Sequence, residues 1–92
     1  MSSKVDLERV LGSPGRVRLL IEMARNPAST SMYRLRAATG LRREDIKKHL
    51  KILMESGLVR ELHVDNKRMY LLDLENPVVK TLIELFRASG CI

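Results

Sequence analysis

Residues 43–56 carry the pattern that most constrains the fold. Ile46, Leu50, Leu53 and Met54 recur there at helical spacing, with Gly40 just before the segment and Gly57 just after it. That spacing predicts a helix with one apolar stripe and a polar remainder, a helix that must pack on a body. After Gly57 the period changes. Leu58–Val64 and Met69–Leu72 are rich in strand formers, and Asp65-Asn66 between them tolerates the left-handed backbone of a two-residue hairpin turn. Lys67 and Arg68 fall near the tip of that hairpin.

The remaining chain reads as helices around this unit. Residues 5–11 form a short helix ended by Gly12. Ser13-Pro14 is a helix start, a side-chain oxygen followed by a fixed φ, and Val17, Leu20, Ile21 and Ala24 make its apolar face up to Asn26-Pro27. Ser29, Thr30 and Ser31 offer a second cap, with Met32, Leu35 and Ala38 at helical spacing before Gly40. Asn76-Pro77 starts a last helix, about 77–89, whose apolar face is Val78, Val79, Leu82, Ile83 and Phe86. The predicted architecture is mainly α with a small β-hairpin, in the order α-α-α-β-β-α around the hairpin unit, a winged helix-turn-helix. At 92 residues the chain makes one domain, residues 1–92.

Charge narrows the class of partner. The net charge is +6, and its distribution is uneven: +4 over residues 16–41, +2 over 42–57, +1 over 58–72, and near neutral at both ends. Charge serving solubility alone has no reason to gather in the middle, whereas a polyanion partner would select for it. Arg43, Lys47 and Lys51 stand at i, i+4 and i+8 beside the apolar stripe, and Lys48 joins them on the exposed side. These four are the candidate major-groove contacts, Arg43 for guanine and the lysines for phosphate or base edges. Glu44 and Asp45 oppose them; they favour the positive end of the helix, or pair with Lys48 and His49. Ser31, Tyr33 and Arg34 suit phosphate contacts at the start of the preceding helix, and Lys67 and Arg68 suit the minor groove.

Three stretches, SPGRVRLLIEMA, LRAATGLRREDIKKHLKILMESGLV and KRMYLLDL, together resemble the ArsR-like winged-helix transcription regulators of bacteria and archaea. Residues 41–59 are the most specific part, and the likeness runs from Ser13 to Leu74. It implies a DNA-binding regulator that reads double-stranded DNA with the helix at 43–56. Where the family often has Ser at the cap of that helix, this chain has Arg42. Similar proteins dimerise through terminal helices. The apolar surplus of residues 5–11 and 77–89 fits a symmetric homodimer, with Val5, Val79, Leu82, Ile83 and Phe86 as the expected contact.

Other classes find little support. Cys91, His49 and His63 are too few and too scattered for a metal site, so no metal and no cofactor are expected. No catalytic grouping or phosphate-binding glycine loop is present, which argues against an enzyme. No apolar run is long enough for a membrane span, and MSSKVDLERV lacks an apolar signal region; the expectation is a cytoplasmic, nucleoid-associated protein. Eleven Arg against six Lys, with no Gln or Trp, hints at a heat-adapted source. Two rivals to a promoter-occluding repressor remain open: a protein–protein module docking an acidic partner through the basic face, and a sequence-neutral nucleic-acid or chromatin binder.

Overall fold

A computed structural model describes residues 4–92. Five helices and one hairpin follow in order: α1 (Leu7–Leu11), α2 (Pro14–Arg25), α3 (Met32–Thr39), α4 (Arg43–Glu55), β1 (Val59–Val64), β2 (Lys67–Leu72) and α5 (Pro77–Ala88). The order is that of a winged helix-turn-helix. Side-chain caps set most of the starts. Asp6, Ser13, Ser31 and Asn76 each accept a backbone N–H from two or three residues further on. Arg42 precedes α4 without a capping bond from its side chain.

One core joins all the elements. Val10 of α1, Leu19, Leu20 and Met23 of α2, Leu35 of α3, and Ile46, Leu50 and Leu53 of α4 are each at most 2% exposed. Leu58, Val59, Tyr70 and Leu72 extend it into the base of the hairpin. Each such aliphatic side chain contributes about 2 kcal/mol by leaving water. This burial, rather than helix propensity, fixes the short α3.

The hairpin is antiparallel, from Val59↔Leu72 to Val64↔Lys67, and turns on Asp65 and Asn66 at φ 50° and 65°. A third backbone segment joins it. The N–H groups of Thr30 and Tyr70 each donate to the other's carbonyl at 2.8 Å, which ties the residue before the α3 cap to β2.

Several sequence expectations shift. In α2, Leu19 and Met23 are buried with Leu20 and Ala24, while Val17 and Ile21 are half-buried. In α3 the inward residue is Thr39 rather than Ala38. The Thr39 hydroxyl donates to the Leu35 carbonyl at 2.7 Å and accepts from the Leu41 N–H at 3.2 Å, so it bridges the turn into α4. Gly40 makes that turn possible by taking φ 72°. Strand β2 begins at Lys67, two residues before the expected start, because the two-residue turn lets pairing run to its edge.

Val79, Leu82 and Phe86 are 1, 7 and 6% exposed and close the protomer's own core. So little of their surface remains that a second subunit would have almost nothing of them to touch. Val5 and Ile83 are half-buried against the same core. α5 packs on α2, and its residues Val79, Leu82 and Phe86 are taken up by the protomer's own core, while Val78 is half-buried and Leu85 exposed.

Candidate nucleic-acid interface

α3, the turn at Gly40 and α4 form the helix-turn-helix, and the hairpin stands beside them as the wing. α4 is anchored by Ile46, Leu50 and Leu53, which turns the opposite side outward. Lys47, Lys48 and Lys51 lie on that outward side and Arg43 in its first turn, all exposed. Among the described residues, none of these four has a carboxylate within 4 Å, whereas Arg9, Arg25, Arg42 and Arg68 each do. An unpaired cation on an exposed helix loses little by exchanging water for phosphate.

The acids at the start of α4 behave differently from the sequence expectation. Asp45 turns back to Arg42, Oδ2 to Nε 3.2 Å, and does not pair with His49. Glu44 is exposed and makes no ion pair with Lys48. The Arg42–Asp45 pair stands at the helix start, but neither side chain accepts a backbone N–H of the first turn as a hydroxyl cap would.

The α3 and hairpin residues are brought together in part. Ser31 and Arg34 line a depression of about 380 Å³ with Ser29 of the preceding loop and Val64, Asp65, Lys67 and Met69 of the hairpin. The Ser31 hydroxyl already accepts the Arg34 N–H at 3.2 Å, so it is a helix cap first. Tyr33 projects into solvent, 78% exposed. Lys67 and Arg68, adjacent in sequence, point to opposite faces of the strand. Lys67 faces α3. Arg68 lies opposite His63 across the strands, its Nε 3.9 Å from Glu61 Oε2, with His63 Nε2 3.5 Å from Glu61 Oε1. Of the two cations near the tip, Lys67 therefore has no carboxylate within 4 Å among the described residues and Arg68 is loosely paired with Glu61, and the tip itself is Asp65-Asn66.

Two arrangements had no local signal in the sequence. The Thr30–Tyr70 bridge fixes the wing relative to the start of α3, and only the pairing of distant segments reveals it. At the back of α4, His49 faces the first turn of α2. Burial holds its imidazole below the usual histidine range, aided by the positive charges of Arg16 and Lys48 and opposed by Asp45.

Among the described residues, no three His, Cys, Asp or Glu side chains gather in a way that would hold a metal, and no helix is long and apolar enough to cross a membrane. No protein-family profile and no curated protein sequence matches the chain. Solved structures do. HlyU from Vibrio cholerae superposes with a TM-score of 0.77 at 24% identity, covering 94% of this chain and 89% of that one. The cadmium metal-sensor CMTR from Mycobacterium tuberculosis matches at 0.67 and 29% identity, over 86% of this chain and 78% of that one. The ArsR family transcriptional regulator RHA00566 matches at 0.61 and 23%, over 91% and 81%. Element order, the wing beside the α3–α4 unit and these superpositions agree: the chain has the winged helix-turn-helix fold of these solved structures.

Proposed function

We propose that the protein is a homodimeric DNA-binding transcription regulator, acting as a repressor by occluding a promoter, that sets α4 in the major groove and its wing on the flanking backbone. The observation that carries this reading is the outward side of α4. Arg43, Lys47, Lys48 and Lys51 stand there free of carboxylate partners, among the described residues, on a helix whose other side is locked into the core. Arg34 and Lys67 around the depression beside α3, which Asp65 also lines, supply a second cationic position.

The dimer reading rests on a groove rather than on α5's buried stripe. Leu7 and Leu85, 51% and 55% exposed, flank an apolar groove of about 420 Å³ between α1 and α5, with Val5 and Val78 in its walls. A two-fold contact there buries the leucines and sets two reading helices about one DNA turn apart, roughly 34 Å.

The test is duplex binding across a salt series, with a mixed-sequence duplex and the protein's own upstream region as ligands. Log K should fall with log salt by about 0.9 per phosphate neutralised, and the upstream region should win at a near-palindromic site. Lys47→Ala with Lys48→Ala should weaken binding about tenfold or more. Absence of binding at low salt eliminates the reading. A steep slope without preference leaves a sequence-neutral binder. The exposed, unpaired Glu44 within the cationic face favours one further reading, docking of a partner protein, which would survive a failure to bind DNA.

A further inference from the structure

The back of α4 meets the first turn of α2 so closely that a side chain there would press on it. A Cβ placed on Gly15 would lie 3.0 Å from His49 Nε2 and 3.5 Å from a methyl of Leu41. A side chain at Gly15 would need the His49 ring to give by a few tenths of an ångström, so glycine leaves the ring its closest fit against α2. His49 Nδ1 and Arg16 Nε are the two buried side-chain polar atoms without a hydrogen-bond partner among the described residues, and both belong to this junction.

The groups that bear on the ring are few. From α2 there is Arg16, whose Nη1 donates to the Arg9 carbonyl of α1. From α4 itself there are Lys48 and Asp45, and Asp45 is drawn to Arg42 at 3.2 Å. From α1, Arg9 reaches past the junction to Glu55 at 3.0 Å. A neutral imidazole needs a partner for one N–H; an imidazolium needs acceptors for two. Arg16 and Lys48 only donate, and both would repel the added charge.

We propose that the uncharged imidazole of His49 is a latch that positions α4 against α2, and that taking up a proton there loosens the reading helix and weakens DNA binding in mild acid. The loss of DNA binding rests on the function proposed above; the latch does not. Its proton linkage has a definite sign. The unfolded imidazole protonates near its ordinary 6.5 as pH falls, while the folded one resists until lower pH. Across that window the unfolded chain binds more protons, so stability is fully present above it and declines as pH drops through it.

The experiment compares wild type, His49→Gln and His63→Gln from about pH 7.5 to about pH 5.5, a range in which ordinary carboxylates stay ionised. Wild type and H63Q should lose about 2–5 °C in Tm over this range, while H49Q stays level. Wild-type affinity for a mixed-sequence duplex at fixed salt should fall about threefold or more, and that of H49Q should not. The latch is overturned if wild type shows no such loss or if H49Q keeps it. The consequence for DNA is overturned if wild-type affinity holds or rises in acid. If no duplex is bound at any pH, the function proposed above fails while the melting arm still judges the latch. Should H49Q not fold, the Gly15 and Leu41 amide signals of wild type decide the same question: they move with the His49 titration, or the latch is wrong.

Discussion

Leu85→Asp tests the proposed two-fold contact separately from α5's place in the core. Leu82 and Phe86 close the protomer core, whereas Leu85 is 55% exposed and Leu7 across the groove 51%. Full burial of a leucine is worth about 1.5–3 kcal/mol, so each half-exposed leucine still has about 1 kcal/mol to gain. The proposed two-fold contact would collect that four times. L85D removes two of the four and puts two carboxylates at the contact, a loss of at least about 2 kcal/mol and a rise in dimer Kd of about thirtyfold or more. Sedimentation velocity over micromolar concentrations reads this directly. The protomer should keep its fold, with Tm of the dissociated chain little changed, because Leu85 lies outside the core. In gel-shift assays the variant should still reach single half-sites at reduced affinity. The reasoning fails if L85D dimerises as tightly as wild type, or if wild type itself is monomeric at tens of micromolar.

Two substitutions probe what holds the α3–α4 unit together. Leu53→Ala, at a position 0% exposed on the anchored side of α4, should cost about 2–5 kcal/mol in chemical denaturation, since little can move to fill the space. Thr39→Val keeps the shape of the side chain but removes the acceptor of the Leu41 N–H, a group at the turn between α3 and α4. It should cost about 1–3 kcal/mol and speed hydrogen exchange at Leu41.

Much of the architecture was legible because its signals are local. The stripe Ile46, Leu50 and Leu53 gave α4, Gly40 and Gly57 its ends, Ser13 and Ser31 the starts of α2 and α3, and Asp65-Asn66 the hairpin turn; each depends on residues within a few positions. The candidate face was legible in the same way, since a stripe three or four residues apart declares its side of a helix. The side Lys67 and Arg68 take, the pairing of Asp45 with Arg42 and the inward turn of Thr39 were not, because each is settled by whether a partner lies within reach.

The sequence by itself determined the elements, their order and the outward charge of α4, for periodicity and capping act over one or two turns of chain. Tertiary structure alone decided that Thr30 pairs with Tyr70, that Val79, Leu82 and Phe86 are spent inside the protomer, and that His49 stands against Gly15 and Arg16. Those contacts join residues far apart along the chain and on different elements, and the free energy that selects them exists only once one core excludes water from all of the elements together.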